Sequence, residues 1–175
     1  EDGHPVSGSI AFSIGQPVRQ VLDLEDYVRG GVMSAGQAGV PAAAVRERAK
    51  ILVVGPTSSG KTTLVNALLA KVAESLDRVL LCEDLRELRC AAPNLVSLRT
   101  VEGAASLTEL LRSTLRLRPD RIIVGEVRGP EALDLIKAWG TGHPGGVATV
   151  HAGTPLGAMR RLEQLIAEAA AAVPR

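Results

Sequence analysis

The sequence predicts an α/β fold, a mostly parallel sheet with helices on both faces. Three observations carry that expectation. Short, largely apolar runs alternate four times with helix-like segments, over brief connections, which is the pattern of parallel sheets. The first run, Ile51 to Val54, leads through the glycine-bearing stretch Gly55-Pro56-Thr57-Ser58-Ser59-Gly60-Lys61-Thr62-Thr63 into an apolar-periodic segment, Leu64 to Val72. Polar residues then follow each later run directly, where open α/β sheets keep their ligand sites.

Taken in order, residues 1–18 carry Gly, Pro and Ser punctuation around one alternating run, Ser9 to Ile14. They read as a linker with a single strand, the exit strand of a preceding domain. Residues 19–175 read as the α/β domain itself. Asp23 with Asp26 three residues on caps a short helix that stops at Gly30-Gly31. Pro41, a residue favoured at a first helical position, is expected to open a second helix reaching about Ala49. Strand 51–54, the glycine-bearing loop and a helix over 62–75 follow.

Val79–Cys82 is the next strand, ending at Glu83-Asp84, and Leu95–Arg99 is a further strand nearer an edge. Ser106-Leu107-Thr108-Glu109 is a capping box whose helix Pro119 must end. Arg121–Val124 is a strand leading into Gly125-Glu126. Pro130 opens a helix to Gly140, Gly146–Val150 is a strand ending at His151, and Thr154-Pro155 caps a last helix to about Ala172. A sheet of this type calls for a further strand beyond Arg175. Together with the opening Glu1 in place of Met, this makes a piece of a longer protein the expectation, with the domain truncated at both ends.

Composition narrows the function classes. With 46% apolar and 22% charged residues, the 175-residue chain has ordinary globular composition and enough material for a substantial core. A net charge of +1 gives no strong argument for direct nucleic-acid binding or for an anionic membrane surface. Cys82 and Cys90 lack metal or redox spacing and read as reduced thiols. No apolar run approaches the ~18 residues that span a bilayer. Aromatic residues are scarce, so Leu, Val, Ile and Ala must pack the interior.

The chemistry begins at Gly55. The spacing G-x-x-x-x-G-K-T is that of the phosphate-binding loop of nucleoside triphosphatases, here between a strand and a helix as the motif requires. Gly55 and Gly60 permit angles and approaches that a Cβ obstructs. The loop's amides and the free donors of the next helix form a concave anion site. Lys61 is placed for the β- and γ-phosphates of ATP, and the Thr62 hydroxyl for Mg²⁺.

Position selects the other candidates. Glu126 follows an apolar strand and can serve the metal, the attacking water, or both, although Gly125 stands where many such enzymes carry an Asp. Glu83 is preferred over Asp84 for the metal's water shell or the attacking water. His151 directly follows a strand and can contact the γ-phosphate, while His143 sits in a Gly/Pro-rich loop. Arg128, two residues past Glu126, is the strongest of the arginines for phosphate. Arg112 and Arg116 are expected on one helical face.

The blocks GPTSSGKTT, CEDLRELRC, LLRSTLRLRPDRIIVGEVRGPEALD and GTGHPGGVATVHAG, in this order and separation, resemble the type II/type IV secretion ATPases. Within that family the chain is most similar to the conjugal-transfer ATPases of the type IV branch, over about residues 12–170. The resemblance implies a RecA-like domain working as a hexameric ring on the cytoplasmic face of the inner membrane, beside the inner-membrane components of a secretion or conjugation machine. It implies Mg²⁺-dependent ATP hydrolysis that drives pilus assembly or substrate transfer. It further implies phosphate and metal contacts at Lys61 and Thr62, an acidic box containing Glu83, a catalytic glutamate at Glu126 and a histidine box at His151. Gly125 is normal in the family. A pilus or type II secretion motor, and a nucleotide-gated scaffold without turnover, stand as alternatives. A GTPase would need N-K-x-D, which the sequence lacks.

Overall fold

The computed structural model describes residues 21–171. The expected exit strand within residues 1–18 lies outside them. Five strands form one parallel sheet: β1 (Ile51–Gly55), β2 (Arg78–Glu83), β3 (Asn94–Arg99), β4 (Arg121–Val127) and β5 (Val147–His151), in the order β1-β5-β4-β2-β3. β3 is an edge strand, as the sequence predicts.

Two helical layers cover the sheet because strand side chains alternate between its faces. On one face α1 (Leu24–Arg29), α2 (Ala35–Arg46) and α3 (Lys61–Val72) pack against Val53, Val79, Leu81, Ile123 and Val147. On the other, α4 (Leu107–Thr114), α5 (Glu131–Gly140) and α6 (Pro155–Ala171) pack against Leu52, Cys82, Ile122, Val124, Ala148 and Val150. Leu68, Leu69, Ile122, Ile123 and Leu135 are among the largest fully buried side chains of these two cores.

Two helix boundaries depart from the sequence reading. Pro41 does not open α2; it lies inside it. The helix begins six residues earlier because Ser34 and Gln37 form a capping box, with Gln37 N–H donating to Ser34 Oγ at 3.2 Å and Ser34 N–H to Gln37 Oε1 at 2.8 Å. That box satisfies two of the helix's free donors, and the amide Pro41 lacks costs only one internal bond. In turn, α4 ends at Thr114, well short of Pro119. Beyond it the chain passes through two tighter turns to Arg118, whose φ is 52°. Arg116 is therefore outside the helix and shares no helical face with Arg112.

At the end of the sheet remote from the phosphate loop, Asp77 holds two arginines. Arg121 Nε donates to Asp77 Oδ2 at 2.6 Å, and Arg48 pairs with Oδ1 of the same carboxylate. Arg121 also donates to the Val45 carbonyl at 3.0 Å, so the buried guanidinium ties β4 to the end of α2.

Candidate nucleotide site

The carboxyl ends of β1, β2, β4 and β5 open onto a cavity of about 340 Å³, lined among others by Thr57, Lys61, Thr62, Glu83, Glu126 and His151. The loop after β1 runs directly from the strand into α3, closely packed on itself. A Cβ on Gly55 would lie 2.4 Å from Ser59 Oγ, so any larger residue there would displace that hydroxyl from the Pro56 carbonyl it donates to. Gly60, at φ 85°, is the N-cap of α3 and turns the following amides toward the loop. Ser58 also has positive φ, at 59°. Lys61 Nζ folds back over the loop and donates to the Gly55 and Pro56 carbonyls at 2.9 and 2.8 Å.

Glu83 is the last residue of β2 and is 2% exposed. Its Oε2 accepts from the Glu87 and Leu88 amides, both at 3.0 Å, while its Oε1 is buried without a partner. The carboxylate thus shapes the loop after β2 and leaves one oxygen uncommitted. Asp84, beyond it, pairs with Arg128. That hydrogen bond holds the Arg128 guanidinium above its ordinary pKa, against the opposing effect of burial.

Glu126 reaches the cavity by a route the sequence conceals. It does not follow β4, as the sequence reading has it, but lies within the strand. The pairing of β4 with β5 runs Val124 to Ala148 and then Val127 to Val150, so three steps on β4 match two on β5. This is a β-bulge, and it reverses the alternation beyond it. Ile122, Val124 and Val127 all face the α4–α6 core, although Val127 breaks the two-residue period. A regular strand would put Glu126 on that apolar face; the bulge lets it line the cavity on the phosphate-loop side.

His151 is exposed, and its Nδ1 lies 3.4 Å from the Thr57 hydroxyl, so the end of β5 touches the phosphate loop. The structure therefore brings together Thr57, Ser58, Lys61, Thr62, Glu83, Glu126, Arg128 and His151. Other expected residues are elsewhere. Arg112 makes a two-pronged pair with Asp134 at 3.0 and 3.2 Å, and His143 Nδ1 lies 3.1 Å from the Pro119 carbonyl.

Three residues were missed. Glu87 Oε2 accepts from the Thr62 hydroxyl at 3.3 Å. Buried Asn66, one helical turn from Thr62, donates to the Glu87 carbonyl at 3.3 Å and accepts from the Arg89 amide at 2.8 Å. Thr149 lines the cavity beside Glu126. Thr149 was accessible from its two-residue offset to His151; Glu87 lies in an irregular loop with no local signal.

The donor set suits Mg²⁺, which takes hard oxygen ligands and usually arrives with substrate phosphates. Thr62, Glu83, Glu87 and Glu126 supply such oxygens. Among the described residues no three His, Cys, Asp or Glu side chains cluster closely enough to hold a metal alone. Phosphate oxygens would have to complete the shell.

Comparison with known proteins gives this geometry a lineage. Residues 9–172 match the family described as type II/IV secretion system protein. The chain belongs to that family. It is 50% identical over 167 residues to the probable conjugal transfer protein TrbB of Sinorhizobium fredii, covering 94% of this chain and 51% of that protein. It is 37% identical over 182 residues to the type IV secretion system protein PtlH of Bordetella pertussis, covering 89% and 53%. The VirB11 ATPase from the Brucella suis type IV secretion system, solved in complex with sulphate, superposes with a TM-score of 0.69. Its identity is 31%, over 87% of this chain and 46% of that one. The secretion-family chain thus has a RecA-like α/β fold and spans about half the length of the curated relatives it matches.

Proposed function

We propose that this chain is the Mg²⁺-dependent ATPase core of a conjugative or type IV secretion machine, working as a hexameric ring on the cytoplasmic face of the inner membrane. One observation carries the reading. The bulge in β4 sets Glu126 on the same cavity as Lys61 and Thr62, so a phosphate-binding loop and a carboxylate base face one another. Among the described residues no helix is long and apolar enough to cross a membrane.

The chemistry follows from the lining. The amides after Gly55 and Gly60 and the Lys61 ammonium hold the β- and γ-phosphates. Thr62 and Glu126, with the free oxygen of Glu83, would hold Mg²⁺, which when bound neutralises phosphate charge. Glu126 orients a water and accepts its proton as the water oxygen bonds to the γ-phosphorus. The bond to the bridging oxygen breaks, and ADP and phosphate result. Thr57 and His151 sit where loss of the γ-phosphate would be felt on β5. Arg128 supplies positive charge at the cavity's edge.

The test is ATP turnover per subunit against protein concentration, in the full-length protein, with Glu126→Gln as control. A specific activity that rises with concentration and collapses in the variant supports a site completed by assembly. A constant rate indifferent to Glu126 overturns the reading, and ATP-driven assembly without turnover would make the protein a nucleotide-gated scaffold.

A further inference from the structure

We propose that Thr149 is the positioning residue for Glu126, acting through the backbone of the bulge; this rests on the reading of Glu126 as the base. Thr149 is 3% exposed, and its hydroxyl donates to the Gly125 carbonyl at 2.7 Å. Thr149 lies on β5 between Ala148 and Val150, the two residues that pair with Val124 and Val127. It therefore faces the two bulged residues, Gly125 and Glu126, where the regular ladder is interrupted. The part-buried Gly125 carbonyl in that gap lacks a regular ladder partner on β5, and the threonine hydroxyl supplies a donor.

The consequence is specific to Glu126. Slipping β4 back into regular alternation would turn Glu126 toward the apolar layer of α4–α6 and Val127 toward the cavity. Both exchanges are unfavourable, so the bulge is already biased. The Thr149 hydroxyl sharpens that bias into one geometry. Gly125 contributes by its missing Cβ, which would lie 3.1 Å from the Cβ of Glu83. His151, two residues along the same strand, touches Thr57 of the phosphate loop, so β5 carries both the clamp on Glu126 and a contact to that loop.

The experiment is a double-mutant cycle in the full-length protein. Thr149→Val keeps the shape and removes the hydroxyl. It is expected to lower kcat about 10- to 100-fold, the scale of a small misplacement of a reacting group. Affinity for a non-hydrolysable ATP analogue should stay within about two-fold, because no phosphate contact is lost. Thr149→Ser should restore most of the rate. In a Glu126→Gln background, Thr149→Val should cost less than about two-fold more, since residues acting through one another are not additive. Thr149→Ala gives the same comparison if the valine is not accommodated. An equal loss in both backgrounds, or full activity in Thr149→Val, overturns the clamp. Full turnover in Glu126→Gln alone would overturn the assignment of the base itself, and the clamp with it.

Discussion

Gly125 lies directly against Glu83: a Cβ at position 125 would stand 3.1 Å from the Glu83 Cβ and 3.6 Å from its Cα. β4 and β2 are parallel neighbours in the sheet, and the tight approach of Gly125 to Glu83 at their carboxyl ends explains why glycine occupies a place where many nucleotide hydrolases carry an aspartate. Gly125→Ala is expected to destabilise the fold by about 1–3 kcal/mol, the usual cost of overpacking. Gly125→Asp should cost more, since it also sets a second carboxylate against a buried one. Urea unfolding of the two variants measures both; an aspartate variant as stable as the parent would refute the steric account.

Lys61 spends its ammonium on two loop carbonyls, at 2.9 and 2.8 Å, and is available to exchange them for phosphate oxygens. Lys61→Ala should weaken ATP binding by about 1.5–3 kcal/mol, the range for a hydrogen bond to a charged group. Isothermal titration checks this. Unchanged affinity would remove the phosphate-loop assignment.

Arg128 is 60% exposed at its side chain and paired with Asp84. An exposed pair of this kind contributes about 0–1 kcal/mol, so Arg128→Ala should barely move thermal stability. If Arg128 serves the phosphates, turnover should nonetheless fall. Loss of stability with turnover intact would assign Arg128 to the fold alone.

The Asp77–Arg121 pair is buried, with side-chain exposures of 6% and 3%. Burial by itself would raise the Asp77 carboxyl, but the hydrogen bond and charge of Arg121, together with Ser75 and the charge of Arg48, outweigh it and hold the carboxyl below the usual range. A depressed folded-state value means the pair's contribution is complete above about pH 4 and is lost as pH falls through that lower value. Asp77→Asn should cost about 3–5 kcal/mol at neutral pH, because it strands a buried guanidinium. Denaturation from pH 7 to 2 should show the gap between parent and variant closing at the acid end; a constant gap would exclude the ion pair as its origin.

Burial pushes the Cys82 thiol up to about 12. It should resist alkylation in the native protein at pH 8 and react only after unfolding. Mass-spectrometric mapping of iodoacetamide adducts decides this, and rapid native labelling of Cys82 would contradict the packing of β2.

The legible parts of this protein are those whose cause is local. Spacing within nine residues sets the turn from β1 into α3, because Gly55 and Gly60 act through their own backbone and the helix that Lys61 and Thr62 begin. Apolar runs with short connections announce a parallel sheet, and capping boxes at Asp23 and Ser106 mark helix starts that the structure keeps. Pro41 does not mark the start of α2, because the capping box that begins seven residues upstream at Ser34 outweighs one missing amide.

What only the tertiary structure decided is which face each catalytic candidate sees. Glu126 was found in the sequence by its place after an apolar run, yet its orientation comes from a bulge against β5, more than twenty residues away in the chain. Register between strands is a property of their pairing, not of either strand alone, and a one-residue offset reverses every side chain beyond it. For the same reason no local signal singles out Glu87, and the two-residue offset of Thr149 from His151 gives its face but not its partner. They matter only once folding sets one against Thr62 and the other against Gly125.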